Sequence, residues 1–541
     1  YEGAGQIVGV ADSGLDKGIA GLNDGTLHMD FFGKVNAIID RIGSSGADEN
    51  GHGTHVAGSI AGNGVMSQGK IKGMAPKAKL FVQKIGNADG VVYPGSLEQL
   101  FQQAYDNGVR IHNDSWGSAG FGTYGSWSAD VDSFVWSHPD MLIVVAAGNE
   151  GPDNCTVGSP GTAKNCLTVG ATENFRPYMK LYDGSSISDD PSETAFFSSR
   201  GCEDGRIKPD VVAPGTYIAS TMSSSMLPEF LEYTTTYPGY PNYEFMNGTS
   251  MATPITSGTV ALIREHIVKT YNINPSAALL KAFVINGALG QNGYSQDQGW
   301  GKVSLYDSIF GTRIINDTDS VSEGESQTYT ISCIRSNRPL KITLVWSDYP
   351  ASAQNAAALV NDLDLIVTAP DGSVTYYGND FTVPYDSDFD RTNNVENIII
   401  NNPVEGTYTI EVLGHSVPHG PQPFALVGSS DFLSTPKTIK ATSTTDSITI
   451  SWDPVPGAVS YDVEVDGMNI VNVSGTSYTH SNLAYNSEHK YRIRALDTRT
   501  YSVWSSTFTH STQLHTPVLG NTWTDDGIQL TWDYVQQATS Y

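Results

Sequence analysis

Cysteine, positive charge and long apolar runs are scarce in this 541-residue chain. No two of its four cysteines have CxxC spacing, which argues against a zinc site. Lys and Arg number 30 against 57 Asp and Glu, a formal net charge of −27. That balance argues against nucleic-acid binding, which needs clustered cations, and favours bound cations. Apolar runs such as MLIVVAA at 141–147 fall short of the ~18–20 residues of a membrane span, so we expect none.

The cysteines are Cys155, Cys166, Cys202 and Cys333, which allow three full pairings. Cys155 and Cys166 close a short loop, CTVGSPGTAKNC, and we expect a disulfide bond between them. The pairing of Cys202 and Cys333 stays open. An acidic chain with a disulfide indicates a secreted, extracellular protein.

The length predicts two to four domains, and residues 1–315 form the first. Apolar strand-like runs alternate there with helical ones, which predicts an α/β domain with a parallel sheet covered on both faces. The strands are expected at QIVGVA (6–11), KLFVQKI (79–85), RIHNDSW (110–116) and MLIVVAAG (141–148), and helices at THVAGSIAG (54–62) and SLEQLFQQAYDNG (96–108).

The remaining residues have the two-residue periodicity of β-strands, with little helical signal. Segments such as LKITLVWS (340–347) and GTYTIEVLG (406–414) predict an all-β sandwich or barrel of jelly-roll type over 316–432. A third β-module spans 433–513, and its opening recurs at 514–541, as the 80-residue interval from Trp452 to Trp532 shows. We expect 514–541 to be the start of a second, truncated copy.

The stretch NGTSMATP at 247–254 places Ser250 just before an apolar helical run. Pro254 cannot donate to the carbonyl of Ser250, so we expect Ser250 in an irregular, exposed turn. A serine there suits a nucleophile whose product is an anion, because helix starts carry unpaired N–H groups. It suits an ordinary helix cap equally well.

Three other polar residues are predicted at the mouth of the same sheet. Asp12 ends the strand QIVGVA, His52 lies between glycines at the head of a helix, and Asn149 follows the strand at 141–148. Each alone is explained by a turn, a cap or a structural histidine. Together they supply what acyl transfer needs: a nucleophile, a base, an orienting acid and an oxyanion donor.

The stretches VADSGLD, NGHGTHVAG, AAGNEG and GTSMATP resemble the four signatures of the subtilases, the subtilisin-like serine proteases. The resemblance implies that Ser250 attacks the peptide carbonyl and His52 transfers the proton. Asp12 would orient the imidazole, and Asn149 would bind the oxyanion together with the Ser250 N–H. The whole chain resembles large secreted bacterial subtilisins with a C-terminal β-jelly roll, which implies a monomeric protease whose N-terminal propeptide is cleaved from a zymogen.

The later domains carry resemblances of their own. NDLDLIVTAPDGS resembles the P domain of convertases, and the 433–513 module resembles fibronectin type III.

The resemblance also implies a cleft for polypeptide substrates. Ser115, Trp116 and Gly117 would form an edge strand that pairs with the peptide, and Trp116 would equally fit plain core packing. Gly148 and Gly158 would line the cleft, with Gly158 leaving room at the base of the P1 pocket. Because SWGSAGFG holds no acidic residue, we expect cleavage after large apolar or aromatic residues rather than after basic pairs.

Acidic residues cluster in two stretches of the predicted jelly roll. Alternate oxygen ligands suit Ca²⁺, and the resemblance to calcium-dependent subtilases favours structural calcium over solvated loop acids. The predicted ligands are Asp362, Asp364, Asp386, Asp388, Asp390, Asn393 and Glu396.

The sequence thus predicts a secreted, calcium-stabilised serine endopeptidase of broad specificity. Two alternatives are a processing protease of the proprotein-convertase type and an adhesion protein with a vestigial protease fold. The acid-free pocket disfavours the first, and the intact set of Asp12, His52, Asn149 and Ser250 disfavours the second.

Overall fold

The computed structural model describes residues 1–541 except 19–26, 44, 180–185, 233, 291–292, 334–338, 354–356, 386–387, 430–434, 456–457, 497–500, 503 and 535–541. It divides the chain into two compact units, Tyr1–Ser430 and Asp431–Tyr541. The predicted boundary at 432/433 falls on residues outside the described ones, so the four predicted domain ranges stay predictions.

The first unit is built on a seven-stranded parallel sheet. Its strands lie in the spatial order β2-β3-β1-β4-β5-β6-β7, and all of them except the edge strand β2 are almost wholly buried, as expected for a sheet covered on both faces. The strands are β1 (Ile7–Asp12), β2 (Val35–Asp40), β3 (Lys79–Lys84), β4 (Ile111–Asp114), β5 (Leu142–Ala146), β6 (Leu167–Thr172) and β7 (Val211–Pro214).

Helices pack around this sheet. They are α1 (His52–Ala61), α2 (Leu97–Asp106), α3 (Ser126–Ser137), α4 (Pro228–Leu231), α5 (Thr249–Tyr271), α6 (Ala277–Asn286) and α7 (Leu305–Gly311), with short 3₁₀ turns at Met29–Phe31 and Val65–Ser67. Small residues let α1 approach the end of β1: a methyl group added at Gly53 would lie 2.4 Å from the carbonyl oxygen of Gly14. This close approach brings His52, at the start of α1, to Asp12, at the end of β1.

The remainder of the first unit is antiparallel. A three-stranded sheet combines β8 (Ile218–Thr221), β9 (Thr235–Tyr237) and β10 (Tyr240–Met246). Two four-stranded sheets and a small ribbon follow, made of β11 (Thr312–Asn316), β12 (Ser320–Val321), β13 (Ser326–Cys333), β14 (Leu340–Val345), β15 (Asp362–Thr368), β16 (Thr375–Tyr377), β17 (Val395–Ile400), β18 (Gly406–Ser416), β19 (Gln422–Pro423) and β20 (Ala425–Ser429).

One apolar core joins the parallel sheet to the antiparallel sheets. Val345, Val395 and Val427 belong to the same buried cluster as the strands of the parallel sheet. The buried ammonium of Lys164 also pairs with the carboxylate of Asp348 at 2.5 Å. The α/β part and the all-β part of this unit therefore bury surface against each other.

The second unit is also antiparallel. Its strands are β21 (Lys440–Ser443), β22 (Ser447–Ser451), β23 (Ser460–Val465), β24 (Asn469–Val473), β25 (Ser477–Ser481), β26 (Glu488–Leu496), β27 (Phe508–Ser511), β28 (Leu519–Thr524) and β29 (Gly527–Trp532). A three-stranded and a four-stranded sheet enclose a core that includes Trp452 and Tyr461, and β28 and β29 form a separate ribbon.

The predicted fold class, an α/β parallel-sheet domain followed by all-β domains, is confirmed, whereas the jelly-roll and fibronectin assignments stay predictions. The predicted Cys155–Cys166 disulfide is wrong. Among the described residues there is no disulfide, and both thiols are free. The physical reason is that Cys166 is fully buried against the Thr168 hydroxyl, 3.3 Å from its Sγ, while Cys155 lies at the half-buried surface.

No helix in the described part of the chain is both long and apolar enough to cross a membrane.

Candidate active site

The four side chains predicted to carry acyl transfer line a single cavity of about 290 Å³. Asp12 reaches it from the end of β1 and His52 from the start of α1. Asn149 follows β5, and Ser250 lies in the first turn of α5. The carboxyl ends of β1 and β5 meet at one edge of the sheet, which is where ligands bind in open α/β folds.

Asp12 and His52 contact each other directly. The Nδ1–H of His52 donates to Oδ1 of Asp12 at 2.8 Å, while the other carboxylate oxygen of Asp12 has no partner among the described residues. The Asp12 side chain is 4% exposed and the His52 side chain 29%. The bond to Nδ1 leaves Nε2 as the ring nitrogen that faces the cavity, which suits a proton acceptor.

A buried carboxylate holds this pair in place. Asp48 accepts from the hydroxyl of Ser13 at 2.8 Å and from the backbone N–H groups of Gly51 (2.8 Å) and Thr54 (2.7 Å). The Ser13 hydroxyl oxygen in turn accepts from the N–H of Gly53 at 2.8 Å. These bonds satisfy N–H groups at the start of α1 and fix that helix to the end of β1.

The surrounding carboxyl groups raise the pKa of His52. Burial opposes the imidazolium, but the charge and hydrogen bond of Asp12, followed by the charge of Asp48, outweigh that effect. His55, one turn further along α1, shows the opposite outcome. Burial lowers its pKa to about 3, and its Nε2 lies 2.9 Å from the carbonyl oxygen of Ile218. His55 is therefore a neutral core residue, whereas His52 can take up a proton.

Ser250 differs from its predicted setting because it is helical. Helix α5 begins at Thr249, directly after Gly248, whose φ of +145° only glycine adopts readily. The Ser250 hydroxyl donates to the carbonyl oxygen of Ser115 at 2.9 Å, so in this structure it is not hydrogen-bonded to His52. As a first-turn residue, Ser250 also has a backbone N–H without an acceptor among the described residues.

Asn149 is oriented by the start of the same helix. Its Oδ1 accepts from the N–H of Thr249 at 2.9 Å and from the Thr249 hydroxyl at 3.0 Å. Because both donors bind the oxygen, the amide nitrogen is the end of Asn149 that stays available to a ligand in the cavity.

The predicted substrate residues line the same cavity, but not as a strand. Strand β4 ends at Asp114, so Ser115, Trp116 and Gly117 continue beyond the sheet without a regular partner. Trp116 is 7% exposed and packs edge-on against Trp127 at 5.6 Å between ring centroids, so it lines the cavity and also belongs to the core.

Two glycines contribute to the lining of the cavity. Gly148 and Gly158 both line it. A methyl group added at Gly158 would lie 2.4 Å from the carbonyl oxygen of Ser118, so only glycine fits at position 158.

Two carboxyl groups near the site were missed by the sequence analysis. Glu150 lines the cavity and accepts from the Ser199 hydroxyl at 2.9 Å. Its place inside AAGNEG, directly after Asn149, was a signal that could have found it. Glu244 is 2% exposed, and burial raises its pKa to about 8. No local pattern marks Glu244, which lies near the start of α1 because β10 pairs with β8 and β8 packs against α1.

A positively charged side chain, that of Arg391, lies among the predicted calcium ligands. The guanidinium of Arg391 donates to Asp362 at 3.1 Å and to Asp364 at 2.5 Å. Glu396 is 1% exposed and accepts from the N–H of Leu365 at 2.6 Å. One oxygen each of Asp362 and Glu396 is buried without a partner among the described residues. Burial raises the pKa of Asp362 to about 7 and that of Glu396 well above its ordinary value.

The other predicted ligands have separate roles or positions. Asp390 accepts from the backbone N–H groups of Thr392 and Asn393 and from the side-chain amides of Asn379 and Asn393. Asn393 accepts from the N–H of Ile207 at 2.8 Å. Asp388 lies in the same loop, and Asp386 lies outside the described residues. In the part of the chain that the structure describes, no group of three or more His, Cys, Asp or Glu side chains is arranged to hold a metal ion.

Comparison with known proteins gives a family and several relatives. The model of the Subtilase family matches residues 3–301, more than half of the chain. The chain is 28% identical to the serine protease/ABC transporter B family protein tagD of Dictyostelium discoideum, over 79% of this chain and 31% of tagD. It is 33% identical to serine protease AprX of Bacillus subtilis (strain 168), over 49% of this chain and 58% of AprX. It is 34% identical to Subtilisin BL of Lederbergia lenta, over 40% of this chain and 64% of that protein.

The chain thus spans less than two thirds of each of these relatives. The matched stretch nevertheless contains the entire parallel sheet and all four side chains of the cavity described above. The chain therefore belongs to the Subtilase family of serine proteases.

Proposed function

We propose that this protein is a serine endopeptidase that hydrolyses peptide bonds through an acyl-enzyme on Ser250. The observation that carries the proposal is the shared cavity, which holds a hydroxyl, a histidine bonded to a buried carboxylate, and an oriented amide. Family membership supports the same reaction class.

In this mechanism His52 Nε2 accepts the proton of the Ser250 hydroxyl as its oxygen attacks the peptide carbonyl. The proton then passes from His52 to the leaving amine, and Asp12 stabilises the imidazolium in between. Before attack, the Ser250 side chain must turn away from the Ser115 carbonyl oxygen, which it contacts at 2.9 Å. Rotation about the Cα–Cβ bond of Ser250 would move the hydroxyl away, and we expect a substrate bound in the cavity to favour this rotation.

The oxyanion would be bound by the Asn149 amide and the Ser250 N–H. Both are fixed before the reaction, Asn149 by Thr249 and the N–H by its place in the first turn of α5. A donor held in position costs no reorganisation when charge develops. In a subtilisin, loss of one such donor reduces kcat by about 10²–10³, and we expect a loss of similar size here.

For specificity we propose a preference for large apolar or aromatic P1 residues. The cavity walls combine Trp116, backbone and two glycines, and this arrangement leaves room for a bulky side chain. The carboxylate of Glu150 is engaged by Ser199. Secretion, a cleaved propeptide and a monomeric state belong to the same proposal, supported by the acidic composition and the subtilisin relatives.

A peptide-library digest of wild type and Ser250→Ala tests this function. We expect cleavage after Phe, Tyr, Leu and Met, and a loss of kcat of about 10⁶-fold in Ser250→Ala, the size found when a subtilisin loses its serine. Ser137→Ala, at the exposed end of α3, is the matched control and should keep full activity. Undiminished hydrolysis by Ser250→Ala would contradict the mechanism, and preferred cleavage after paired basic residues would favour a convertase-like specificity instead.

We also propose a structural Ca²⁺ ion beside Asp362, Asp364 and Glu396, with backbone oxygens and waters completing its ligands, because the described carboxylates alone do not form a metal site. Two buried oxygens of these carboxylates lack partners among the described residues, and a cation is the ligand that such oxygens accept best. The positive charge of Arg391 already offsets part of the cluster, so we expect calcium to stabilise the fold and to take no part in the reaction.

A further inference from the structure

Cys155 and Cys202 are neighbours in space although they are far apart in the sequence. A methyl group added at Gly122 would lie 3.1 Å from the Cα atom of Cys202 and 3.2 Å from that of Cys155. The two Cα atoms are therefore at most about 6.3 Å apart, the sum of those distances. This upper limit lies below the roughly 6.8 Å maximum for disulfide-bonded cysteines, so the positions of the two Cα atoms allow a bond.

Backbone hydrogen bonds hold the two segments together. The N–H of Thr156 donates to the carbonyl of Arg200 at 3.0 Å, and the N–H of Arg200 donates to the Thr156 hydroxyl at 3.0 Å. Gly122 joins both segments, because its N–H donates to Val157 at 3.0 Å and its carbonyl accepts from Glu203 at 3.2 Å. The proximity of the cysteines thus follows from main-chain pairing.

The two thiols differ in accessibility. Cys155 is half-buried, with a φ of +56° that places it at a turn of the surface. Cys202 is 5% exposed, and its burial raises the pKa of the thiol to about 11, against the opposing charge of Arg206. Cys155 is therefore the thiol that meets an external oxidant first, with Cys202 placed to resolve the intermediate.

We propose that Cys155 and Cys202 are a disulfide-forming pair, oxidised by a small disulfide such as glutathione disulfide. The Cys155 thiolate attacks the oxidant and releases one thiol, which takes up the proton lost by Cys155. The Cys202 thiolate then attacks the sulfur of Cys155 in the mixed disulfide and releases the second thiol with the proton lost by Cys202. Two protein thiols are oxidised to one disulfide, and one glutathione disulfide is reduced to two glutathiones.

The bond would clamp one wall of the substrate cleft. Cys155 lies three residues before Gly158, which lines the cavity, and Cys202 lies three residues after Ser199, which binds Glu150 at the cavity rim. Linking the two segments restricts how far this wall opens. The consequence for catalysis rests on the proposed function, whereas formation of the bond does not.

Disulfide mapping by mass spectrometry tests the proposal. The protein carries Ser250→Ala, so that it cannot digest itself, and is equilibrated with glutathione disulfide or with dithiothreitol before alkylation and peptide analysis. We expect a Cys155–Cys202 cross-linked peptide in the oxidised sample only. The oxidised form should also melt roughly 5 °C higher, because the bond closes a long loop of the unfolded chain. Cys155→Ser and Cys202→Ala should each lose both effects, and Cys166→Ala, the matched control, should keep them.

Three results would overturn the proposal: full alkylation of Cys155 and Cys202 after equilibration, stable glutathionylation of Cys155 without a cross-link, or a cross-link from Cys155 to Cys166. Each can occur whether or not Ser250 is catalytic, so this test and that of the proposed function fail independently.

Discussion

Two clusters of carboxyl groups, each gathered around one basic side chain, give the protein two different properties. Near the sheet edge, Asp12, Asp48 and Glu244 surround His52. In the antiparallel part of the same unit, Asp362 and Asp364 bind Arg391. Both clusters place carboxyl groups in largely buried surroundings, but an imidazole can lose its proton near neutral pH and a guanidinium cannot.

The comparison shows that a cluster of carboxyl groups is not by itself a sign of catalysis. At His52 the carboxyl groups tune a base that opens into a cavity beside a hydroxyl. At Arg391 the charge is permanent, and its ion pairs join β15 to the loop before β17. We therefore assign the proposed chemistry to the cluster whose central group titrates, and a stabilising role to the other.

The strongest test of this contrast replaces one aspartate in each cluster. We expect Asp12→Asn to lower kcat by about 10⁴-fold near pH 7, because an amide no longer fixes the imidazole tautomer or stabilises its cation. The acid limb of the pH profile should also move to lower pH, since Asp12 makes the largest contribution that raises the pKa of His52. Steady-state kinetics from pH 5 to 10 measures both. Asp362→Asn is the matched control, and an equal loss of kcat there would erase the distinction.

A smaller effect is expected from Glu244, whose folded pKa is about 8 against an ordinary 4.5. Between these values the folded protein keeps a proton that the unfolded chain releases, so the free energy of unfolding falls as pH rises from 4.5 to 8. Glu244→Gln removes this pH-dependent loss of stability. We expect the free energy of unfolding of the variant, relative to that of wild type, to increase by on the order of 3 kcal/mol as pH rises from 5 to 9.

Denaturant melts in the Ser250→Ala background measure this difference. Glu229→Gln, at an exposed position in α4, should show no such pH dependence. If Glu244→Gln and wild type kept a constant difference across the pH range, the carboxyl of Glu244 would not be held protonated by its surroundings.

The smallest effect concerns the Arg391 cluster and calcium. We expect a chelator to lower Tm by about 3–5 °C and excess Ca²⁺ to restore it, as for a ligand that binds only the folded state. Glu396→Gln removes one unpartnered carboxylate oxygen and should abolish the response to the chelator. An unchanged Tm in the chelator would mean that Arg391 alone offsets the cluster.

Local sequence patterns gave the elements and the candidate residues. The strands ending at Asp12 and before Asn149, and the helix beginning near His52, were predicted within a few residues, because their apolar periodicity is strong and uninterrupted. The setting of Ser250 was not predicted, because α5 begins at Thr249 and continues through Pro254. The Ser250 carbonyl, to which Pro254 cannot donate, accepts from the Ser115 hydroxyl at 2.9 Å instead. The extended stretch after β4 was likewise predicted as a strand, and only a pairing partner could have decided that.

Contacts between distant segments decided what the sequence left open. Loop length favoured Cys155 with Cys166, but main-chain pairing places Cys155 beside Cys202 instead. Glu244 affects His52, and Arg391 binds Asp362 and Asp364, through packing that no short pattern encodes.

The sequence by itself determined the fold class, the family and the side chains that we propose carry the chemistry, since these depend on periodicity and on short, specific motifs. The tertiary structure alone decided the partners of those side chains, the direction of their pKa shifts and which cysteines lie close together. The physical reason is that charge and hydrogen-bond energies depend on distance and burial, which only the folded arrangement sets.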